Sequence, residues 1–79
     1  MRLDKYLKIS RLIKRRTVAN ESCDAGRVLV NYRPAKASAQ VNAGVTIDIQ
    51  FGSKNVKVEV LDIKETVRKE DAENLFRYL

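Results

Sequence analysis

The stretch RLIKRRTVANESCDAGRVLVN, residues 11–31, decides how this chain folds. Its pattern predicts a basic connection, a helix over about Arg15–Ala25, a stop and then a strand. Gly26 ends the helix because glycine readily adopts the left-handed conformation that follows a last helical turn. Val28 and Val30 fall on one face of the next segment, which is typical of a strand.

Positive charge gathers where that helix is predicted to begin, at Arg11, Lys14, Arg15 and Arg16. Free backbone N–H groups make a helix start partly positive, so a cation there costs roughly 0.3–1 kcal/mol. The same N–H groups attract phosphate. The cluster therefore predicts a polyanion site, and RNA is the expected ligand. This hypothesis requires that the four side chains lie together and are not neutralised by carboxylates of the same chain.

The net charge of the chain supports a nucleic-acid partner. The 79 residues carry a formal charge of +6, divided as +7 over residues 1–36 and −1 over residues 37–79. A charged fraction of 33% and a hydrophobic fraction of 44% suit one small ordered domain. The excess charge places the anionic partner at the N-terminal half.

The remaining pattern predicts a short first helix, a hairpin and a last helix. Leu3, Tyr6 and Leu7 form an apolar stripe at helical spacing, and residues 45–51 and 56–60 alternate as strands do. Residues 31–34 are predicted to be a turn, because Pro34 argues against a continuing strand. The helical spacing of apolar side chains predicts a last helix over Glu70–Leu79, which would clamp the sheet.

The predicted second helix has small apolar residues on its inner face. This face is expected to comprise Val18, Ala19, Ser22, Cys23 and Ala25. The single cysteine permits no internal disulfide, which fits a reducing, cytoplasmic compartment. We interpret Cys23 as a buried packing residue rather than a reactive thiol, since the chain has no histidine to activate it.

Several motifs occur in an order that resembles the S4 RNA-binding domain. They are Arg2-Leu3-Asp4-Lys5-Tyr6-Leu7, the basic doublet before the second helix, Gly26 to Asn31, Lys36, Ser38, Gly44 and Ile47-Asp48-Ile49. The resemblance implies an α+β fold: two N-terminal helices packed on a small, mostly antiparallel sheet, plus a short C-terminal helix. We expect one domain over residues 1–79, with a core motif at 1–51 and a hairpin and helix completing it at 52–79.

A narrower resemblance, to the free-standing RqcP type of S4 factor and its relative heat-shock protein fifteen, rests on three further motifs. These are Leu12 to Thr17, Lys36-Ala37-Ser38 and Phe51-Gly52. It implies binding to the large ribosomal subunit and its RNA, with a stalled peptidyl-tRNA still present. It also implies action beside the tail-elongating factor RqcH, as C-terminal alanine tails grow. Two positions depart from the usual pattern: Tyr32-Arg33 stands where glycine usually follows the asparagine, and Val45 stands where aspartate is usual.

The resemblance, together with the charge pattern, defines a set of candidate RNA-binding residues. They are Arg2, Lys5, Arg11, Lys14, Arg15, Arg16, Thr17, Asn20, Lys36 and Ser38. Arginine suits phosphate because its planar fork binds two oxygens, and Thr17 and Ser38 are short donors to the RNA backbone. Asp4 is interpreted as orienting a neighbouring cation. An ordinary solvated surface is the alternative for the basic run, and for Lys36 and Ser38.

Catalysis is poorly supported by the sequence. Without histidine and with one cysteine, His-based proton transfer and the usual zinc sites are absent, and we expect no enzyme, metal or cofactor. The hypotheses are therefore a monomeric, non-catalytic RNA-binding factor, or an RNA-binding appendage of an RNA-modifying enzyme such as a pseudouridine synthase. A third, an anionic-membrane binder, fits less well because the second helix lacks large apolar residues.

Overall fold

The computed structural model describes residues 1–79 and has two helices packed on a five-stranded sheet. In chain order the elements are α1 (Leu3–Ile9), α2 (Arg16–Asp24), β1 (Val28–Val30), β2 (Arg33–Pro34), β3 (Thr46–Phe51), β4 (Lys54–Val60), a 3₁₀ helix (Lys69–Leu75) and β5 (Phe76–Tyr78). The strand order is β2-β1-β3-β4-β5, and every pair is antiparallel. The predicted α+β fold class is confirmed. No helix has the length and apolar character required to span a bilayer.

The core lies between α1 and the inner face of the sheet. Leu3, Tyr6 and Leu7 of α1 are fully buried, as their spacing predicts. Against them pack inward-facing residues of β3 and β4, among them Ile47, Ile49, Val58 and Val60, which are also buried. The alternation that predicts the hairpin thus reflects one packed and one solvated sheet face.

Helix α2 begins and ends within a residue of its predicted bounds, but its inner face is narrower than predicted. Only Ala19 and Cys23 are buried, whereas Val18 and Ala25 are exposed. Ser22 is half-buried. Two small residues one turn apart let α2 lie close against α1 while the rest of its surface faces solvent. Gly26 has φ +79°, which confirms the predicted left-handed stop.

The predicted turn over residues 31–34 is wrong at its second half. Arg33 and Pro34 form the edge strand β2, paired with Val30 and Leu29 of β1. The turn itself is the two-residue link Asn31–Tyr32, in which both residues have positive φ. Pro34 is tolerated because β2 is the outermost strand, where a missing N–H removes no central ladder bond.

The predicted last helix is also wrong beyond Leu75. A 3₁₀ helix covers Lys69–Leu75, and the chain then extends as β5 along the free edge of β4. The carbonyl of Leu75 accepts hydrogen bonds from the Tyr6 hydroxyl at 2.7 Å and from the Leu61 amide at 2.8 Å. These bonds, together with the unpaired edge of β4, favour extended backbone over another helical turn.

Candidate nucleic-acid interface

The start of α2 has no cap within the protein. Arg15 occupies the N-cap position with extended backbone (φ −117°, ψ 133°), and its side chain makes no capping bond. No acidic residue lies in the first turn. Counting from the helix start, the Ala19 amide is the first that is bonded: it donates to the Arg15 carbonyl at 3.0 Å. The amides of Arg16, Thr17 and Val18 therefore point outward without a protein acceptor.

The connection that carries the cations into α2 is fixed by the core. Ile13 is buried, and its amide donates to the Leu7 carbonyl at 3.1 Å. Arg11 adopts φ +63°, a conformation that non-glycine residues seldom take, and its amide donates to the Lys8 carbonyl at 3.1 Å. The basic residues between α1 and α2 therefore project from an anchored backbone.

Asp4 links the two helices and holds two of the candidate arginines. Its carboxylate accepts bonds from Arg2 through Nε (3.2 Å) and Nη2 (3.3 Å). The guanidinium of Arg16 lies 3.5 Å away, and the amide of Asn20 donates at 3.2 Å. The Lys5 backbone N–H completes the set at 2.8 Å. The interpretation of Asp4 as an orienting residue is thus confirmed.

The environment of Asp4 keeps its carboxylate ionised. Burial acts to raise the pKa of Asp4, since its side chain is only 3% exposed. Hydrogen bonds from Asn20 and Arg2, the charge of Arg16 and the Lys5 amide outweigh burial, so that the pKa lies below its usual value. Asp4, charged at neutral pH, gives Arg2 and Arg16 a common partner.

The cations at the α2 start are only partly neutralised within the chain. Arg16 shares Asp4 with Arg2, yet their side chains are still 48% and 46% exposed, so that donor groups face solvent. Arg11, Lys14 and Arg15 have no carboxylate within ion-pair distance. Three of the four clustered cations therefore have no ion-pair partner, and the fourth, Arg16, is oriented by Asp4 but still exposed to solvent.

Thr17 and Asn20 lie on the same side of α2 as Arg16. Together with Asp4 and Glu21 they line a shallow depression one turn into the helix. Thr17 is exposed, whereas Asn20 is half-buried and bonded to Asp4. The structure therefore brings Arg2, Arg16, Thr17 and Asn20 together around one carboxylate.

Lys5 belongs to a neighbouring groove. Its ammonium pairs with Glu65, which lies on the irregular segment between β4 and the 3₁₀ helix. Lys5, Lys8, Arg11 and Arg16 line this groove with Ile9 and Val67 at its apolar part. Lys8, which is exposed, is not among the candidates predicted from the sequence, and the Lys5–Glu65 pair was not predicted either. No local signal could have found a pair separated by 60 residues.

Lys36 and Ser38 lie apart from the α2 start, on the loop between β2 and β3. Lys36 is exposed beside the last turn of α2, near Asp24 and Gly26, at the opposite end of the helix from Arg16. Ser38 is exposed in a turn of the same loop. The Ala37 amide donates to Asp24 at 3.1 Å, which fixes the loop against α2. These two candidates can reach only a ligand that extends along the molecule.

Cys23 is a packing residue, as predicted. Its thiol is buried and unpaired. Burial, with smaller contributions from the charges of Asp4 and Asp24, raises the pKa of Cys23 to about 11. At neutral pH the thiol stays protonated and is a poor nucleophile.

Comparison with known proteins identifies the family. The family model described as "S4 domain" matches residues 1–47. The RQC P-site tRNA stabilizing factor of Halalkalibacterium halodurans is 57% identical over 76 residues, which are 96% of this chain and 86% of that protein. The factor of the same name from Bacillus subtilis is 51% identical over 79 residues, or 100% of this chain and 92% of that one.

A solved structure agrees with these sequence matches. Heat shock protein 15 of Vibrio cholerae, described as trimeric, superposes with a TM-score of 0.93 at 30% identity, covering 100% of this chain and 81% of that chain. By sequence and by fold, this chain belongs to the S4-domain family and, within it, to the family of RQC P-site tRNA stabilizing factors.

Proposed function

We propose that this protein is a non-catalytic RNA-binding factor of ribosome quality control, acting on a large subunit that still carries a stalled peptidyl-tRNA. Its relatives are named as factors that stabilise the P-site tRNA. The observation that carries the proposal is the uncapped start of α2, where free amides and clustered cations face the same solvent. An RNA phosphate supplies both the missing acceptor and the missing negative charge.

The interface works by positioning. Arg2 and Arg16 are held by Asp4, so little side-chain freedom is lost when they bind phosphates. Lys14 and Arg15 add longer-range attraction. Folded RNA presents phosphates, 2′-hydroxyls and shape rather than a readable major groove, which suits a charged helix end. The ligand is therefore paired ribosomal RNA, transfer RNA or the junction between them.

The partners follow from this positioning role. A chain that holds peptidyl-tRNA and large-subunit RNA together keeps the tRNA in place while an RqcH-like factor adds C-terminal alanine. Residues 1–79 act in this as a single RNA-binding domain. The protein itself performs no bond chemistry; it lengthens the time during which tailing and tRNA translocation can occur.

The test is co-sedimentation with purified large subunits, with and without peptidyl-tRNA. Arg16→Ala should weaken binding roughly tenfold, because a hydrogen bond between charged groups is lost. Lys54→Ala is the matched control, since Lys54 is an exposed, unpaired cation on the β3–β4 hairpin and should bind as wild type. Equal binding by Arg16→Ala and Lys54→Ala would contradict the assignment of the interface.

Two further readouts separate the parts of the proposal. Affinity should fall steeply between low and moderate salt, since phosphate contacts release counterions. In a reconstituted reaction, alanine tailing by an RqcH-like factor should slow when Arg16→Ala replaces the wild type. Binding without any effect on tailing would leave the RNA interface standing and reject the role in tail elongation.

A further inference from the structure

Tyr32 is held in a conformation that its side chain disfavours. It has φ +70° in the two-residue turn between β1 and β2, and its partner Asn31 has φ +50°. Asn31 suits such a turn, and its side-chain oxygen accepts the Thr46 amide at 3.0 Å. The second position ordinarily takes glycine, because a bulky residue with positive φ is strained. Burial does not repay this strain, since Tyr32 is 63% exposed.

The ring of Tyr32 has a cation fixed beside it. The Lys57 ammonium lies 5.1 Å from the ring centroid, within the range of a cation–π contact. Lys57 is also 4.0 Å from the Asp48 carboxylate, which helps to hold it there. Arg33, next along the chain, is exposed. An exposed aromatic ring with one cation beside it and a second cation at the next residue is a combination that proteins use to hold an unpaired nucleotide, by stacking the base and attracting its phosphate.

The patch is continuous with a candidate interface residue. From Tyr32 the chain runs through the extended strand β2 to Lys36, so the two positions are at most about 13 Å apart. Arg33 and Pro34 between them are exposed. An RNA segment bound at Lys36 can therefore reach Tyr32 with two additional nucleotides.

We propose that Tyr32 stacks against an unpaired base of the RNA that this protein binds, with Lys57 and Arg33 attracting the adjoining phosphates. This inference rests on the proposed function and adds to it a ligand feature: a single-stranded nucleotide beside the paired region held at α2. The strained turn then presents an aromatic side chain where glycine would give a more stable hairpin.

The probes are two fluorescein-labelled RNA hairpins with the same stem, one blunt and one with a short 3′ tail of uridines, measured by fluorescence anisotropy. Tyr32→Gly should weaken binding to the tailed hairpin by about fivefold or more and leave the blunt one unchanged. Tyr32→Phe, which keeps the ring, should bind both as wild type. Tyr32→Gly should also melt at a higher temperature, which excludes misfolding as the cause of lost affinity.

Arg16→Ala separates this inference from the function on which it rests, because that variant should weaken both hairpins. If Arg16→Ala weakens binding while Tyr32→Gly binds both probes as wild type, the stacking site is rejected and the proposed function stands. If neither variant weakens binding, both are rejected. An equal loss of affinity for the blunt and the tailed hairpin also overturns the assignment of Tyr32 to an unpaired base.

Discussion

Helices α1 and α2 begin in opposite ways. At α1 the amides of Leu3 and Asp4 donate to the carbonyls of Ala39 (2.8 Å) and Ala37 (3.2 Å), and the Lys5 amide donates to the Asp4 carboxylate. The corresponding amides of α2 have no acceptor, and the first turn of α2 contains no acidic residue, whereas that of α1 contains Asp4. The α1 start is thus closed by the chain itself, whereas the α2 start is not.

This difference shows how the chain divides stability from function. The loop after β2 closes the start of α1 with its own carbonyls, and the Ala37 amide bond to Asp24 fixes that loop against the end of α2. Asp4 serves both helices, since it neutralises the α1 start and orients Arg2 and Arg16 toward solvent. The cost of leaving α2 open is small because only its first turn is affected.

The largest expected effect follows removal of the closing carboxylate. Asp4→Ala should lower the free energy of unfolding by about 2–3 kcal/mol, because several charge-assisted hydrogen bonds are lost together. Urea denaturation followed by circular dichroism measures this change. Glu73→Ala is the control: the Glu73 side chain is exposed and makes no hydrogen bond or ion pair, so the free energy of unfolding should change by no more than about 0.5 kcal/mol. A similar loss in both variants would show that Asp4 does not close α1.

Capping α2 should have a smaller effect of opposite sign. Arg15→Ser supplies an N-cap hydroxyl to the free amides and removes a cation, which should stabilise the fold by about 1 kcal/mol. The melting temperature should then rise by about 4–8 °C, while RNA affinity falls. Thermal melts and anisotropy with a labelled RNA measure the two effects.

The same substitution at α1 is the matched control. Arg2 is the N-cap residue of α1, but the amides there are already bonded. Arg2→Ser should therefore bring no stabilisation, and it loses two bonds to Asp4. If both variants stabilise the fold equally, the two helix starts do not differ as described.

Acid should remove the stability that Asp4 contributes at the start of α1. The pKa of Asp4 is lowered in the fold, so its contribution to stability is complete above the unfolded value of 3.8 and is lost as pH falls through the lower folded value. Asp4→Asn should flatten the decline in stability below that pH. Urea midpoints measured from pH 5 to pH 2 test this, with Glu65→Gln as the control because the Lys5–Glu65 pair is exposed and screened by solvent. Parallel curves for wild type and Asp4→Asn would contradict it.

Most of the fold could be predicted because its signals are local. The stripe of α1, the stop at Gly26 and the alternation of β3 and β4 each lie within a few residues. Strands β2 and β5 were missed because each is defined by its pairing with a partner strand rather than by a pattern of its own. Local signals were misleading at both strands. Pro34 indicated a turn, and the spacing of Ala72, Leu75 and Phe76 indicated a helix, but pairing with β1 and with β4 gave extended backbone instead.

The candidate interface shows the same division. The basic run at residues 11–16 is contiguous, so its gathering at the α2 start could be predicted. The contact of Asn20 with Asp4 and that of Glu65 with Lys5 join residues 16 and 60 positions apart. Such contacts depend on how α1 packs, and no hydrophobic periodicity or sequence motif predicts them. The strain at Tyr32 also appears only in the backbone angles.

The smallest expected effect tests whether α2 is open only at its start. Cys23 is buried, and burial raises the pKa of its thiol to about 11, so that at pH 8 the thiol of the folded chain is protonated and shielded from solvent. Labelling by a disulfide reagent should therefore require unfolding. Asp4→Ala should speed labelling and Arg15→Ser should slow it, in proportion to their effects on the unfolded population. If native Cys23 reacts as fast as it does in urea, the whole of α2 detaches from the core, and the open start reflects a loose helix rather than a site kept for an anion.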